Sequence, residues 1–493
     1  MFLGTGLLSV LQMLVLIILS RLLTPTDYGV MGAASIVLGI SAIFCQMGVG
    51  PAIVQHPSLE QRHIRTGFTI SMLFGILLTG IIWAIAPGVA VFFQMDSMTP
   101  VLRILSFVFL LQGASAIPLS LLERKLKFRS IAIIEVLSYA GYGIVGVSLA
   151  AMKFGIWALV FAQLSWALLN CCMLIIVQPY PKLPKFENLA FKELVRFGSA
   201  VTVANIFNYF ARCGDYLVVG RWIGSEALGL YGRAYKLMTL PATIFGSVAD
   251  RVLFPAIAKV QNKPKHVVIA YRRSLAAIAL LTLPMSAIMI VLAPELITLI
   301  LGPKWIDAVI PFQILTVGAY FRTSYKISEA TARAMGAVHK IARIQGAYAI
   351  LVLSGAWFGR CWGISGVAFG VLLALGMTFT FLTRLTVSLT SMSWKVFLSV
   401  HLPAIRLTVI LFAELWLIAN ILRYFDWPSI SILILASLLI GVNMVIVSCL
   451  KLLPLLGEDG VWVLNIFIEK WRHKLDTFDW LKKQSKDGIN DRG

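Results

Sequence analysis

Charged side chains recur at helical spacing inside stretches of the sequence that are otherwise apolar. In one stretch they are four, three and four residues apart, and they are Arg322, Lys326, Glu329 and Arg333. In another stretch the spacings are three, four and three, and the residues are Asn205, Asn208, Arg212 and Asp215. Residues three and four apart share one face of a helix, so each set predicts a polar face on an apolar helix.

A third apolar stretch carries Arg233 and Lys236 and ends near Asp250 and Arg251. The three stretches hold seven cations and three anions, which leaves four positive charges without an acidic partner. A charge at the centre of a bilayer costs at least about 2.5–3.5 kcal/mol, so these groups should face protein or water. Guanidinium and ammonium groups there favour an anion with several oxygens, such as phosphate or pyrophosphate. The predicted pyrophosphate ligands are Arg212, Arg233, Lys236, Arg322 and Lys326.

The charged faces have two other interpretations. Their members could pair with one another as interhelical salt bridges that only hold the helices together. The acidic residues could instead titrate or bind a cation that drives an exchange, and these coupling candidates are Asp215, Asp250 and Glu329. The sequence alone leaves these alternatives open.

Polar residues inside the apolar runs of the first half are mainly neutral amides. Gln163 and Asn170 share a helix face with Trp166. Amides both donate and accept hydrogen bonds, which suits neutral polar groups of a ligand. The amides on these polar faces are Gln163, Asn170, Asn205 and Asn208. The six cysteines lack CxxC spacing and no Walker A or HExxH motif occurs, so no metal site, cofactor or catalytic site is predicted.

Long apolar runs extend along the whole chain and must position these faces. Of 493 residues, 59% are hydrophobic and 13% are charged, and the mean hydropathy is +0.88, which excludes a soluble protein. We therefore predict an all-α polytopic membrane protein with about fourteen transmembrane helices. The predicted spans are 2–23, 29–54, 67–93, 100–122, 131–151, 155–178, 194–222, 226–255, 270–301, 307–333, 341–359, 363–386, 398–423 and 428–453.

The net charge of +20 reflects membrane topology, because Lys and Arg are concentrated in alternate connectors. The positive-inside rule places those connectors and both termini in the cytoplasm, and nucleic acid is not an expected partner. The opposite connectors, such as 94–100 and 152–155, are too short for an extracytoplasmic domain. The first apolar run starts at Phe2 without a basic lead or a cleavage site, which indicates a short first helix or a start codon further upstream.

One phrase of the sequence occurs twice. Residues 20–35 read SRLLTPTDYGVMGAAS and residues 220–235 read GRWIGSEALGLYGRAY. At a constant offset the matching pairs are Arg21 and Arg221, Gly29 and Gly229, Gly32 and Gly232, and Ala34 and Ala234. Weaker matches follow in the same order, such as GPAIVQ at 50–55 and FPAIAKVQ at 254–261.

The repeat predicts two homologous six-helix lobes related by an axis along the membrane normal, with a site between them near the midplane. Apolar residues from about 461 to 481 also recur at helical spacing among Lys and Arg, as in an amphipathic helix on an anionic membrane surface. The predicted divisions are an N-lobe at 1–178, a cytoplasmic linker at 179–193, a C-lobe at 194–386, two added helices at 396–453 and a basic cytoplasmic tail at 454–493.

Several segments carry a family resemblance. They are DYLVVGRWIGSEALGLYGRAYKLMTLP at 215–241, RVLFPAIAKVQ at 251–261, LGPKW at 301–305, SRLLTPTDYG at 20–29 and GVGPAIVQ at 48–55. Together they resemble polysaccharide flippases of the Wzx type, in the branch similar to colanic-acid exporters. That family belongs to the multidrug/oligosaccharidyl-lipid/polysaccharide exporter superfamily, and the resemblance covers most of both lobes.

The resemblance implies two six-helix lobes in a V with a cationic central cavity, in a bacterial inner membrane. It implies a transporter, not an enzyme, that moves undecaprenyl-pyrophosphate-linked oligosaccharide from the cytoplasmic to the outer leaflet by alternating access. With an oligosaccharide substrate, the predicted sugar ligands are Gln163, Asn170, Asn205 and Asn208. The product would be a surface polysaccharide such as O-antigen, capsule or exopolysaccharide, and a polysaccharide polymerase or export machinery would be a further partner.

Two alternatives stay open. A cation-coupled multidrug exporter of the same superfamily would need an acidic, aromatic-lined cavity, which the cationic surplus disfavours. A membrane polysaccharide polymerase or ligase would need catalytic groups in a sizeable extracytoplasmic loop, and the connectors are too short to provide one.

Overall fold

The computed structural model of the protein describes residues 2–46, 49–55, 59–180, 187, 209, 212–248, 253–260, 263–449, 459 and 461–462. Within these ranges the regular secondary structure is entirely helical, which confirms the predicted all-α class. In chain order the helices are α1 (Phe2–Leu22), α2 (Pro25–Gln46), α3 (Val49–Gln55), α4 (Gln61–Phe93), α5 (Met98–Leu105), α6 (Phe107–Arg124), α7 (Phe128–Ala151), α8 (Ile156–Val177), α9 (212–222, its described part), α10 (Ser225–Val248), α11 (Phe254–Val260), α12 (Pro264–Val291), α13 (Ala293–Ile300), α14 (Val309–Ala334), α15 (Val338–Gly359), α16 (Gly363–Thr390), α17 (Trp394–Tyr424) and α18 (Ser429–Cys449).

Within the described residues, each predicted span coincides with one helix or with two consecutive helices. The predicted span 194–222 is described only in its last part, as α9. The predicted span 270–301 is interrupted at Leu292, between α12 and α13. Pro294 lies in the first turn of α13, a position that suits proline because the amide groups of a first turn have no partner within the helix.

Eight helical segments in the described part of the chain are long and apolar enough to cross a membrane. The chain is therefore a membrane protein with several spans. The charged helices α10 and α14 are not among these segments, because their polar faces lower their hydropathy. The total of fourteen spans stays a prediction.

The chain folds as two compact units, and both contain residues of the predicted C-lobe 194–386, so the division into six-helix lobes stays a prediction. Unit 1 comprises Met1–Leu237, Leu296–Leu315 and Gln345–Ala374, and unit 2 comprises Met238–Glu295, Thr316–Ile344 and Leu375–Gly493. Within unit 1, α7 packs against α1 and α8, and α4 packs against α6. Within unit 2, α12 packs against α17.

The two copies of the repeated phrase meet inside unit 1. Gly29 of α2 lies against the backbone of Ser225, the first residue of α10. Gly229 of α10 lies in the same way against Pro25, the first residue of α2. The positions in each contact are related by the repeat offset, so the crossing of α2 and α10 has local two-fold pseudosymmetry. A side chain at either glycine would separate the helices, which explains why both copies have glycine there.

The first copy also builds a helix start. Thr24 precedes α2, with Pro25 in its first turn. The Thr24 hydroxyl donates to Asp27 Oδ2 at 2.7 Å, and the Thr24 amide donates to the same oxygen at 3.0 Å. The Asp27 amide donates in return to Thr24 Oγ1 at 3.3 Å. This is a capping box, which satisfies amide groups that a helix start otherwise leaves unpaired.

The LGPKW segment packs against the first copy of the phrase within unit 1. Trp305 is fully buried, and its indole NH donates to the Ser20 carbonyl oxygen at 2.8 Å. Its ring meets the Tyr28 ring edge to face, with centroids 5.5 Å apart. Arg21 Nη2 donates to the Leu299 carbonyl oxygen. Two segments that carried the family resemblance therefore pack together to support the start of α2.

Unit 2 has its own apolar core and a buried ion pair. The core gathers rings from α12, α14 and α17 around Tyr271, Tyr320 and Phe397. Arg423 of α17 donates from Nε and Nη2 to the two carboxylate oxygens of Glu295, both at 2.8 Å. The Glu295 side chain is only 4% exposed, so this bidentate pair neutralises a carboxylate that has left water.

The start of the predicted tail contacts α12. Arg272 pairs with Asp459 at 2.6 Å, and the guanidinium of Arg273 lies 4.2 Å from the centre of the Trp462 ring. The predicted amphipathic helix beyond Trp462 lies outside the described residues.

Candidate functional site

Unit 1 contains a cavity of about 440 Å³, and the described residues that line it belong to four helices. The lining side chains come from α1, α7, α8 and α10, and they are Leu8, Gln12, Glu135, Tyr139, Tyr142, Gln163, Trp166 and Lys236. A volume of this size falls within the range of about 300–1,000 Å³ that is usual for small-ligand sites.

The lining residues follow from helical spacing. Glu135, Tyr139 and Tyr142 are four and three residues apart on α7 and share one face. The two tyrosine rings stack with centroids 5.1 Å apart and planes inclined by 16°. Gln163 and Trp166 are three residues apart on α8. The cavity therefore has a paired aromatic wall on α7 and a mixed amide and indole wall on α8.

Glycines on α7 allow these walls to approach. A Cβ atom at Gly143 would lie 2.7 Å from Val15 Cγ2 of α1, and one at Gly146 would lie 3.1 Å from the Ala162 Cβ of α8. Both distances are shorter than the usual carbon–carbon separation of about 3.5–4.0 Å. Small residues at such positions let membrane helices pack closely, and here they hold α1 and α8 against α7.

The polar groups of the cavity are available to a ligand. Among the residues that the structure describes, the side chains of Gln12, Glu135 and Gln163 have no hydrogen-bond or ion-pair partner. Within the same part of the chain, no hydrogen bond engages the hydroxyls of the stacked tyrosines or the Trp166 indole NH. These groups open into the cavity, where they can donate hydrogen bonds to a hydrophilic ligand and accept hydrogen bonds from it.

The cationic side of the cavity is formed by α10. Lys236 lines the cavity and also makes an interaction within the protein. One turn earlier, the guanidinium carbon of Arg233 lies 3.6 Å from the centre of the Tyr28 ring, a cation–π contact. Two of the five predicted pyrophosphate ligands are thus placed on one helix, and one of them opens into the cavity.

Asp215 has a structural setting. Its side chain is 1% exposed, Tyr231 donates its hydroxyl to Oδ2 at 2.7 Å, and the Tyr216 amide donates to Oδ1 at 3.0 Å. The rings of Tyr216, Tyr231 and Tyr235 pack around one another beside it. A carboxylate held in this way fixes α9 against α10, and its role in ion coupling stays a prediction.

The other predicted residues of unit 1 lie away from this lining. Arg212 is exposed at the described start of α9. Asn170 is half-buried on α8, one turn beyond Trp166, and does not line the cavity.

The charged face of α14 belongs to unit 2. Arg322, Lys326 and Glu329 are half-buried there, and each makes a polar or electrostatic interaction. Their convergence with α10 on a single site stays a prediction. Asn205, Asn208 and Asp250 lie outside the described residues. No group of three His, Cys, Asp or Glu within the described ranges could hold a metal ion.

Sequence reasoning missed the α7 wall. Glu135 is the single carboxylate in the predicted span 131–151, and Tyr139 and Tyr142 follow it at helical spacing. That combination was a usable signal, because an ionisable residue inside a membrane span marks a functional position by default.

The chain matches the family model described as "Polysaccharide biosynthesis protein" over residues 18–310, more than half of its length. It is 24% identical over 331 residues to the teichuronic acid biosynthesis protein TuaB of Bacillus subtilis (strain 168), which covers 65% of this chain and 66% of TuaB. It is 20% identical over 313 residues to the lipopolysaccharide biosynthesis protein WzxC of Escherichia coli (strain K12), which covers 62% of this chain and 63% of WzxC. The chain thus spans slightly under two thirds of each of these relatives.

The fold is similar to that of the lipid II flippase MurJ in an inward closed conformation. The TM-score is 0.71 at 14% sequence identity, and the match covers 90% of this chain and 99% of MurJ. At that identity the similarity shows the fold alone, because one fold can serve several functions.

Proposed function

This chain belongs to the polysaccharide biosynthesis protein family, and from that premise we propose that it is a flippase for lipid-linked oligosaccharides. The proposed substrate is an undecaprenyl-pyrophosphate-linked repeat unit, which the protein moves from the cytoplasmic to the outer leaflet by alternating access. The distribution of Lys and Arg supports a bacterial inner membrane location with both termini in the cytoplasm. A polysaccharide polymerase or export machinery is the proposed downstream partner.

The unit 1 cavity is the observation that carries this proposal. Its aromatic rings, Tyr139, Tyr142 and Trp166, offer flat apolar faces to sugar rings. Its amides and its carboxylate can pair with hydroxyl groups, while Lys236 can pair with a phosphate oxygen. A sugar joined to a pyrophosphate needs this combination, with an ammonium at one side and hydroxyl-binding groups beside aromatic faces.

Other residues singled out from the sequence are proposed to bind the substrate or to couple transport to an ion. Arg233 is a second pyrophosphate ligand from α10, and Arg212, Arg322 and Lys326 are further candidates. Gln163 is the predicted sugar ligand that lines the cavity. Asp215, Glu329 and Asp250 are candidates for coupling transport to an ion.

Reconstituted transport tests the proposal. Purified protein in liposomes is given a fluorescent polyprenyl-pyrophosphate disaccharide, and the labelled lipid that reaches the opposite leaflet is measured by quenching with a membrane-impermeant reductant. Wild-type protein should move the lipid. Lys236→Met should slow transport about 10- to 150-fold, because a hydrogen bond to a charged group contributes about 1.5–3 kcal/mol.

Lys127→Met is the matched control, since Lys127 is exposed at the start of α7 and lies outside the cavity lining. It should transport at close to the wild-type rate. A wild-type protein that leaves the labelled lipid in its original leaflet contradicts the proposed function. Equal rates for the Lys236 and Lys127 variants contradict the role of the cavity in it.

A further inference from the structure

Among the described residues that line the unit 1 cavity, Glu135 carries the one acidic group. We propose that Glu135 makes the site selective for an uncharged sugar next to the pyrophosphate and rejects a uronic acid at that position. The inference rests on the proposed function and names a substrate class for the same cavity.

Glu135 opens into the cavity. Its side chain is exposed there, and it has no hydrogen-bond or ion-pair partner among the described residues, so its carboxylate can accept hydrogen bonds from a ligand. An ionised carboxylate accepts hydrogen bonds at both oxygens and donates none. The groups that suit it are therefore the hydroxyls of a neutral sugar or the NH of an acetamido sugar.

The position of Glu135 ties it to the sugar nearest the lipid. Glu135 and Tyr142 are seven residues apart on α7, which corresponds to about 10 Å along the helix. The stacked tyrosines follow Glu135 along that distance. Glu135 and Lys236 line the same cavity of about 440 Å³, a volume typical of sites for small ligands. The sugar that reaches Glu135 is thus close to the phosphate bound by Lys236.

A uronic acid places a second carboxylate in this space. It is ionised at neutral pH, as unperturbed carboxyl groups are. Two carboxylates cannot hydrogen-bond to each other without a proton, and their repulsion is stronger in a partly desolvated cavity than in water. Because like charges that meet in a binding site lower affinity strongly, we expect at least about a tenfold preference for the neutral sugar.

Binding measurements on the purified protein in lipid nanodiscs test the selectivity. The probes are polyprenyl pyrophosphates that carry a single glucose or a single glucuronic acid, and the dissociation constant of each is measured. For wild-type protein the glucuronic acid probe should bind at least about tenfold more weakly than the glucose probe. In Glu135→Gln that ratio should fall to about threefold or less, since glutamine has a similar size and no charge.

Two further variants make the result specific. Glu135→Asp retains the charge and should retain a preference for glucose. Glu123→Gln removes an exposed carboxylate of α6 that lies outside the lining, and it should leave the ratio at its wild-type value.

The outcomes separate this inference from the proposed function. Binding of the glucose probe without discrimination by wild-type protein overturns the selectivity and leaves the flippase proposal standing. A Glu135→Gln variant that shifts both dissociation constants together and keeps their ratio also overturns it, because the carboxylate would then act on the shared pyrophosphate. Failure of wild-type protein to bind either probe overturns both proposals.

Discussion

The crossing of α2 and α10 gives the sharpest prediction about the fold, namely the effect of Gly29→Ala. A Cβ atom at Gly29 would lie 2.5 Å from the Ser225 carbonyl carbon and 3.0 Å from its Cα atom, with the carbonyl oxygen closer still. Ordinary carbon–carbon contacts are about 3.5–4.0 Å, so the helices must move apart by about 1 Å or more. The obstacle is backbone, so no change of side-chain rotamer can relieve it.

The expected cost is at the upper end of the range for overpacking, about 1–3 kcal/mol. Gly32→Ala is the matched control on the same helix, because its Cβ would lie 3.6 Å from the nearest atom, a methyl carbon of Leu228. Both substitutions gain the same helix propensity, about 1 kcal/mol, so their difference isolates the crossing. Gly229→Ala should behave like Gly29→Ala, since its Cβ would lie 2.7 Å from the Pro25 carbonyl carbon.

The assay is the temperature at which half of the detergent-solubilised protein loses its monodisperse elution peak. Gly29→Ala and Gly229→Ala should each lower that temperature, whereas Gly32→Ala should hold or raise it. The double variant should lose less than the sum of the single losses, because either methyl group already separates the same two helices. Equal midpoints for Gly29→Ala and Gly32→Ala would refute the close crossing.

Three further predictions concern separate parts of the molecule. Arg423→Ala should destabilise unit 2 by about 3–5 kcal/mol, because it removes the bidentate guanidinium partner of the buried Glu295 carboxylate, and the thermal midpoint should fall well below that of wild type. Asp27→Ala should cost about 1 kcal/mol by removing the capping box with Thr24, and hydrogen exchange should rise in the first turn of α2 while α17 is unchanged. Tyr139→Ala should weaken the binding of a glucose-bearing polyprenyl pyrophosphate about tenfold or more, and it should weaken the binding of the sugar-free polyprenyl pyrophosphate less. Equal losses of affinity for both lipids would argue against an aromatic platform for the sugar.

The helices could be predicted from sequence because their main determinant is local. A run of about twenty apolar residues has few alternatives in a bilayer, and proline and charged connectors mark its ends. Apolar length does not reveal the break at Leu292, because the run 270–301 is apolar on both sides of it. The repeat identified Gly29 and Gly229 as equivalent positions.

What the sequence did not show is which faces meet. The repeat shows that Gly29 and Gly229 are equivalent positions, but it does not show that their helices touch. That contact depends on how α2 and α10 cross. Lys236 and Gln163 were predicted for different parts of the substrate, and the structure places both in one cavity lining. Helical spacing places Glu135 on one face of α7 but does not tell which helices pack beside that face. Those helices, α1 and α8, are held by close packing at Gly143 and Gly146.

The most direct test of the central claim is a cryo-electron microscopy structure of the protein in nanodiscs with a bound glucose-bearing polyprenyl pyrophosphate. The account predicts the sugar against Tyr139 and Trp166, a phosphate oxygen about 2.7–2.9 Å from the Lys236 ammonium, and a sugar hydroxyl donated to Glu135. Density for the pyrophosphate at another place in the protein, with only water in the unit 1 cavity, would contradict it.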